Sequence, residues 1–172
     1  MIILGLGSNR GDRRAQLAAA AGRLSALIGG MRCSRLFESQ AMLPAGAPPE
    51  WNMPYLNMAI SGEYDLSPQA LLAQIKAMEG ELGRVARGHW GPREIDIDIL
   101  AAGKLVLDTP TLTIPHRELL NRDFSLLPLI EVAPEWRYPV PGPYYQWKAA
   151  DIAAARGFVI GDALREAGNL HD

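Results

Sequence analysis

Two aspartates stand one residue apart near the middle of the 172-residue chain, in the stretch Glu94-Ile95-Asp96-Ile97-Asp98-Ile99-Leu100. The alternation of acidic and apolar residues predicts a β-strand over residues 94–101, with Asp96 and Asp98 on one face and the isoleucines on the other. Two carboxylates about 6–7 Å apart repel each other, so the pair favours a bound cation. Mg²⁺ fits because it prefers hard oxygen ligands and is often shared with substrate phosphates. An ordinary acidic surface strand explains the Asp-x-Asp pattern, taken alone, equally well.

Three arginines precede this strand, namely Arg84, Arg87 and Arg93. Guanidinium groups make paired contacts with phosphate, and a metal–polyphosphate complex needs both signs of charge around it. Trp90 and the Gly-Pro pair after it restrict the intervening loop and offer an aromatic plane, although Trp90 could equally be a packing residue. The arrangement indicates a site for phosphoryl transfer, with a structural salt-bridge cluster as the alternative.

Aromatic and amide side chains elsewhere are candidates for binding a flat ligand. Tyr55 and Asn57 share one face of a predicted strand and could hold a heterocycle by stacking and edge hydrogen bonds, with Phe124 as a second plane. By pattern alone, core packing is the commoner role for these residues. His116 and Arg122 are candidates for phosphate contact. An isolated histidine is more often structural, and Arg122 is ambiguous for the same reason.

The stretch Gly5-Leu6-Gly7-Ser8-Asn9 follows the first apolar run. Its glycines would let the backbone approach a ligand closely. It lacks the Gly-Lys-Ser/Thr of a phosphate-binding P-loop and the third glycine of a dinucleotide fingerprint. A plain turn from strand to helix is therefore the favoured interpretation.

The chain has the size of one domain, residues 1–172, with a formal net charge of −2 and an isoelectric point of about 5.9. This charge balance argues against binding of nucleic acid or of acidic membranes. No apolar run approaches the roughly 20 residues that a membrane span needs. The one cysteine, Cys33, is expected to fill core space in a strand rather than form a disulfide. We therefore expect a cytoplasmic protein, and we also expect a monomer.

Apolar periodicity predicts the elements that must position these side chains. Asp12 and Ser67 are expected to cap two helices, and the proline-rich residues 39–54 are expected to form a long loop. The order strand, helix, strand, strand, helix, strand is that of a ferredoxin-like βαββαβ core. This is an α+β fold with a mostly antiparallel sheet and helices packed on one face. The predicted ranges are strands 1–6, 31–37, 56–64 and 94–101 and helices 13–28 and 67–82.

The sequence after the fourth strand is punctuated by prolines. Residues 105–107 are predicted to pair back on strand 94–101 as a hairpin, and residues 124–132 to form a short helix. No motif occurs after residue 144, so the core of the domain is expected to cover about residues 1–140.

Taken in order, these segments resemble one family, the 6-hydroxymethyl-7,8-dihydropterin pyrophosphokinases of folate biosynthesis. The resemblance covers roughly residues 1–140, and its most specific part is residues 90–98, with the sequence WGPREIDID. The other segments that carry it are residues 5–9, 55–57, Glu79 with Gly83 and Arg84, residues 114–116, 121–124 and 128–134.

The resemblance implies a reaction and the roles of four side chains. The enzyme would transfer the β,γ-pyrophosphoryl group of ATP to the hydroxymethyl group of 6-hydroxymethyl-7,8-dihydropterin and release AMP. Asp96 and Asp98 would hold two Mg²⁺ ions. Arg84 and Arg93 would stabilise charge on the triphosphate in the transition state. Alignment and electrostatics would supply most of the acceleration.

The same resemblance implies where the two substrates bind. The pterin would lie between Tyr55 and Phe124, with Asn57 reading its edge and Asp96 near its hydroxyl group. The nucleotide would contact a larger set of residues, namely Lys76, Glu79, Arg87, Trp90, Arg93, Ile99, Leu112, Thr113, His116 and Arg122.

Three features depart from the family pattern. Residues 40–54 form a longer loop than is usual, which is still expected to close over the pterin. His89 replaces a frequent arginine, and Arg117 follows His116 where tyrosine or proline is commoner.

Two other functions stay open at this point. A Mg²⁺-dependent nucleotidyltransferase also combines a Gly-Ser turn with Asp-x-Asp, but here the Gly-Ser lies about ninety residues before the aspartates. A non-catalytic ferredoxin-like module that binds RNA would need exposed aromatics on its central strands and a basic face. The acidic pair and the nearly neutral charge balance speak against that module.

Overall fold

The chain forms a mixed α/β structure, and a computed structural model describes residues 1–88, 90–161 and 163–171. Up to β5 the order is strand, helix, three strands, helix and strand, after which the elements become shorter. In chain order the elements are β1 Ile2–Ser8, α1 Arg13–Leu24, β2 Gly29–Cys33, β3 Phe37–Ser39, β4 Tyr55–Glu63, α2 Pro68–Glu81, β5 Asp96–Ala102, β6 Leu107–Asp108, β7 Thr113–Ile114, α3 Asp123–Val132, α4 Ala149–Ala155 and β8 Leu164–Glu166.

The main sheet has the strand order β5-β1-β4-β3-β8, and β2 pairs with the same edge of β4 as β3 does. All of these pairings are antiparallel. Gly7 lies opposite Asp96 on one side and opposite Asn57 on the other. β1 is therefore the central strand that brings the acidic strand and the Tyr55–Asn57 segment within reach of one another.

The two long helices start where the sequence predicts. The Asp12 side chain accepts a hydrogen bond from Ala15 N at 3.0 Å, and the Ser67 hydroxyl accepts one from Ala70 N at 3.2 Å. Both are N-caps, which satisfy a backbone N–H that has no partner within the helix. α1 ends at Leu24, four residues before the predicted end.

Helices cover both faces of the sheet, so the expectation of helices on one face is wrong. α1 and α2 pack on the face that carries Leu4 and Ile97. α3 and α4 pack on the opposite face, against Ile3 and Leu100. The reason is visible in β1, where Ile2, Ile3 and Leu4 are buried in succession, so both faces of the strand are apolar.

Three further sequence predictions need correction. Gly5 and Gly7 lie inside β1 rather than in a turn after it. Residues 105–107 do not pair with β5; instead β6 pairs with β7, and the Thr109 hydroxyl donates to Leu112 O at 2.8 Å within that turn. Cys33 is exposed at the end of β2 and does not fill core space.

The predicted strand 31–37 is split into β2 and β3 by Ser34. The hydroxyl of Ser34 accepts a hydrogen bond from Ala59 N at 2.9 Å, and Ser34 N donates to Ala59 O at 2.9 Å. A side chain thus takes over one acceptor position of the ladder where the strand is interrupted. The sequence offered no motif for the C-terminal residues. In the structure they include β8, which pairs with the outer edge of β3.

An ion pair between Arg87 and Glu94 joins the two ends of the loop that connects α2 to β5. Arg87 contacts both oxygens of Glu94, at 2.6 and 2.9 Å, and Glu94 also accepts from Val85 N at 3.2 Å. The hydrogen bonds from Arg87 are the main reason that the pKa of Glu94 falls to about 2. Within the described residues, none of the helices combines the length and apolar character needed to cross a membrane.

Replacing Gly62 in β4 by alanine is expected to destabilise the fold by about 1–3 kcal/mol. A Cβ at that position would lie 2.4 Å from Ile28 Cγ2 and 2.7 Å from Gly29 O, so backbone as well as side chain must move. Gly22→Ala in α1 is the matched control, because its Cβ meets nothing within 4 Å. That control should gain about 0.5–1 kcal/mol in the free energy of unfolding, measured in urea. Equal effects of the two substitutions would contradict the packing described here.

The Arg87–Glu94 pair should give the protein a pH-dependent share of its stability. Because the folded pKa of Glu94 lies below the ordinary value of about 4.5, this share is present above pH 4.5 and is lost as the pH falls towards 2. Glu94→Gln should lower the free energy of unfolding by about 1 kcal/mol at pH 7, and by nothing near pH 2. A difference between wild type and variant that stays constant over this range would contradict the assignment.

Candidate active site

A cavity of about 700 Å³ lies over the part of the sheet that α3 and α4 leave uncovered. Its floor is the face of β1, β4 and β5 that carries Gly5, Gly7, Asp96, Asp98 and Asn57. Its walls come from the loop after β3 and from the segments around His116 and Phe124. The predicted site residues that line it are Tyr55, Asn57, Trp90, Arg93, Asp96, Asp98, His116, Arg122 and Phe124.

Asp96 and Asp98 both face this cavity, while Ile97 and Ile99 are buried in the core on the opposite side of β5. Asp96 accepts a hydrogen bond from Arg84 at 2.7 Å and forms an ion pair with Arg93. The pKa of Asp98 is raised, first by burial and then by the negative charge of Asp96. The second carboxylate is therefore costly to ionise unless a cation stands beside it.

Glu79 fixes the arginine end of the site. The residue is 2% exposed, and its side chain accepts a hydrogen bond from Ile97 N at 2.8 Å, which ties α2 to β5. The same carboxylate pairs with Arg84 and, at 3.0 Å, with Lys76. A buried carboxylate needs such partners, and here they hold Arg84 pointing at Asp96.

The arginine loop, which is the described part of residues 84–93, borders a second, smaller cavity of about 340 Å³ together with the end of α2. Four of the predicted nucleotide residues line it together with the predicted catalytic Arg84, and Arg93 lines both cavities. Arg93 therefore joins the two spaces, one acidic and aromatic, the other rich in cationic groups. The predicted residues on the smaller cavity are Lys76, Glu79, Arg84, Arg87 and Arg93.

Three predicted nucleotide residues line neither of these two cavities. Ile99 and Leu112 are buried in the core between the sheet and α1 and α2. Thr113 lies in β7, where its hydroxyl donates to Asp108 at 3.0 Å and accepts from Arg117 at 3.2 Å. Their contact with the adenine base stays a prediction. His89 lies outside the described residues.

Tyr55, Asn57 and Phe124 meet at one end of the larger cavity. The Asn57 amide donates to Phe37 O at 3.2 Å and to the Ser39 hydroxyl at 2.9 Å, which fixes its plane. Burial raises the pKa of the Tyr55 phenol, so it stays neutral. This end of the cavity offers two ring faces and a fixed amide edge.

His116 and Arg122 line the same cavity, near Asp98. Burial lowers the pKa of His116, whose Nδ1 accepts from Glu118 N at 3.2 Å, so the ring is neutral near pH 7. The Arg122 guanidinium lies over the Phe124 ring at 5.8 Å. Its Nε is buried without a hydrogen-bond partner among the described residues, as expected of a group that receives an anionic ligand.

Sequence reasoning missed several residues that line the site. Gly5 and Gly7 form its floor, and a Cβ on Gly7 would lie 3.3 Å from Asn57 Oδ1 and 3.4 Å from Tyr55 Cδ1. Two glycines spaced by two inside a strand were the signal, because that spacing puts both on one face. Residues 40–43, in the loop that the sequence analysis expected to close over the pterin, also line the cavity, as does Arg117, for which the sequence predicted no role.

The carboxylates fit a hard cation that takes part of its coordination from a substrate. Among the described residues, no group of three or more His, Cys, Asp or Glu side chains is placed to hold a metal ion. Two oxygen-donor side chains on an open floor suit Mg²⁺, which keeps waters and binds substrate phosphates rather than needing a full protein cage. The raised pKa of Asp98 means that ionising this carboxyl costs free energy. A cation bound beside it would offset that cost.

The chain is similar to proteins of known families. A family model described as 7,8-dihydro-6-hydroxymethylpterin-pyrophosphokinase matches residues 3–134. The 2-amino-4-hydroxy-6-hydroxymethyldihydropteridine pyrophosphokinase of Aquifex aeolicus is 40% identical over 139 residues, which cover 81% of this chain and 84% of that protein. A folate synthesis bifunctional protein of Chlamydia trachomatis is 37% identical over 172 residues and 98% of this chain. The chain spans 38% of the length of that bifunctional protein.

Solved structures of similar fold include Plasmodium falciparum HPPK-DHPS. Its S436F/A437G/A613S triple mutant with SDX-DHP has a TM-score of 0.65 at 15% identity, covering 96% of this chain and 44% of that one. This likeness concerns the fold alone. The family follows from the sequence comparisons: with residues 3–134 matched by its model, this chain belongs to the 7,8-dihydro-6-hydroxymethylpterin-pyrophosphokinase family.

Proposed function

We propose that this chain transfers pyrophosphate from ATP to 6-hydroxymethyl-7,8-dihydropterin, giving the pterin diphosphate and AMP in folate biosynthesis. The observation that carries the proposal is the cavity of about 700 Å³, where an acidic pair, arginines and an aromatic end line one continuous space. The name of the Aquifex aeolicus relative, which this chain matches over 84% of its length, supports the same pterin and the same transferred group.

The aromatic end would hold the pterin. Tyr55 and Phe124 supply ring faces for stacking, and the Asn57 amide, held by the Phe37 carbonyl and the Ser39 hydroxyl, supplies a fixed polar edge. Gly7 keeps the floor open beside Asn57. In this position the hydroxymethyl group of the pterin would point along β1 and β5 towards Asp96.

The triphosphate would lie across the cationic groups. Arg84 and Arg93 are held beside Asp96 by ion pairs, so both can receive a phosphate oxygen without moving far. Arg122 offers a buried Nε, and His116 a neutral ring, elsewhere on the cavity lining. Lys76 and Arg87 on the smaller cavity, and Trp90 on the larger one, would add contacts to the nucleotide.

Asp96 and Asp98 would hold two Mg²⁺ ions together with the phosphates, which would neutralise charge on the group in transfer. The pterin hydroxymethyl oxygen attacks the β-phosphorus, and its proton passes to solvent water. The bond from the β-phosphorus to the α–β bridging oxygen breaks, and AMP leaves. The chain itself supplies alignment of the two substrates and preorganised charge, rather than a dedicated base.

We further propose that β1, α1, β2 with β3, β4, α2 and β5 form a ferredoxin-like core. The order β5-β1-β4-β3, the antiparallel pairing and the position of α1 and α2 on one face support this. A single catalytic domain over residues 1–172, a monomeric state, a cytoplasmic location and the absence of nucleic-acid or membrane binding stay predictions from composition.

The direct test is product analysis with ATP, Mg²⁺ and 6-hydroxymethyl-7,8-dihydropterin, followed by chromatography. AMP and the pterin diphosphate should form in equal amounts, and no AMP should form when the pterin is left out. ADP as product would indicate transfer of one phosphoryl group. Free pyrophosphate with an adenylylated pterin would indicate a nucleotidyltransferase. Either outcome, or no turnover, rejects the proposal.

Asp98→Asn should lower kcat by about 100-fold or more, because it removes one of the two charges that hold the metal ions. The amide has nearly the same shape, and the raised pKa of Asp98 shows that its charge does not stabilise the fold. The melting temperature should therefore stay the same or rise. Asp65→Asn, at an exposed position, is the control and should keep normal turnover. Near-normal turnover of Asp98→Asn would reject the metal assignment.

A further inference from the structure

Asn9, the first residue after β1, joins the two loops that border the site. Its side chain is buried, with 4% of the residue exposed. Asn9 Oδ1 accepts a hydrogen bond from Arg93 N at 2.8 Å, and Asn9 N donates to Arg93 O at 3.1 Å. Asn9 Nδ2 donates to Met53 O at 3.2 Å. One buried amide therefore contacts the arginine loop on one side and the loop of residues 40–54 on the other.

The orientation of this amide is fixed by its partners. Arg93 N can only donate and Met53 O can only accept, so Oδ1 must face Arg93 and Nδ2 must face Met53. Both backbone groups of Arg93 are thereby held from Asn9, three residues before Asp96. The Arg93 side chain, which pairs with Asp96 and lines both cavities, thus starts from a backbone whose position Asn9 sets.

Arg13, in the first turn of α1, holds the same loop at a second point. Its Nη1 donates to Pro54 O at 2.9 Å and forms an ion pair with Glu38 at 2.8 Å. Pro54 is the residue before Tyr55, with which β4 begins. Glu38 lies in β3, opposite Leu56. Arg13 therefore fixes the end of the loop at the aromatic end of the cavity.

We propose that Asn9 and Arg13 are positioning residues for the pyrophosphoryl transfer, an inference that rests on the proposed function. Asn9 sets the backbone of Arg93 and couples it to residues 40–54, so that the group facing the phosphates and the wall facing the pterin keep one relative position. Arg13 sets the pterin side alone. A displacement of about 1 Å at a reacting centre is enough to cost about 100-fold in rate, so this clamp acts on the chemistry without touching substrate.

The two residues should differ in which kinetic constant they change. Asn9→Ala should lower kcat by about tenfold to 100-fold, because Arg93 loses its fixed backbone. Arg13→Ala should raise KM for the pterin severalfold while kcat stays within about twofold, because only the loop end is loosened. Asn9→Asp keeps the acceptor for Arg93 N and loses the donor to Met53 O. It should therefore recover much of kcat and keep a raised KM for the pterin.

Ser61→Ala is the matched control for loss of a buried polar contact. The Ser61 hydroxyl donates to Val132 O at 2.9 Å beneath the end of α3, four residues along β4 from Asn57. This variant should lose stability as Asn9→Ala does, but it should keep the kinetic constants of the wild type. Equal kcat for Asn9→Ala and wild type would overturn the proposal, as would equal loss of kcat in Asn9→Ala and Ser61→Ala.

Amide hydrogen exchange separates this proposal from the proposed function, since it needs no substrate. Asn9→Ala should speed exchange by about tenfold in both residues 40–54 and the described part of residues 84–93. Arg13→Ala should speed it in residues 40–54 only, and Ser61→Ala in neither. Faster exchange in one loop alone on loss of Asn9 overturns the coupling. If the wild-type protein forms no AMP but the three variants show these exchange patterns, the proposed function is rejected. The coupling of the two loops through Asn9 then remains supported.

Discussion

The site depends on one constraint, the repulsion of two carboxylates that the two-residue period of a strand places on the same face. Asp96 and Asp98 cannot turn away from each other while Ile97 and Ile99 stay in the core. The cost appears in Asp98, whose pKa is raised by burial and by its neighbour. Everything around the pair serves to compensate this charge or to leave space for a ligand that does so.

The protein compensates the charges of the two aspartates unequally. Arg84 and Arg93 both engage Asp96, whereas no ion pair is found for Asp98 among the described residues. Glu79, a buried residue of α2, holds Arg84 in this arrangement through its bonds to Arg84 and to Ile97 N. One carboxylate is thus paired by the protein, and in the proposed function the other would be compensated by a cation that arrives with a substrate.

Sequence could predict the strand alternation, because a period of two is dictated by backbone geometry and needs no knowledge of the fold. It could also predict both helix caps, since Asp12 and Ser67 act on backbone groups three residues away. The residues implied by the family resemblance fall largely on two adjoining cavities. Ile99, Leu112 and Thr113 are the exceptions, since the first two lie in the core and the third in the β6–β7 hairpin.

What could not be predicted involves contacts between distant segments. Nothing local says that Gly5 and Gly7 must lie opposite the aspartates, because that depends on how β1 pairs with β5. Cys33 looked like a core residue because its strand continues in pattern, but the strand ends there at an exposed edge. Asn9 was seen only as part of a motif, since its partners lie 84 and 44 residues away.

The pairing of β8 with β3 shows that the main sheet needs residues beyond those that the family model matches. The family model stops at residue 134, but the strand that covers the outer edge of β3 comes from Leu164–Glu166. Cutting the chain at the end of the family match would leave β3 with a row of unpaired N–H and C=O groups, which is a template for association between molecules. It would also remove Glu166, one of the two ion-pair partners of Arg35. The other partner, Glu131, would remain. The folded unit therefore extends beyond the residues that the family model matches. A fusion protein built from this chain should include the residues up to and beyond β8.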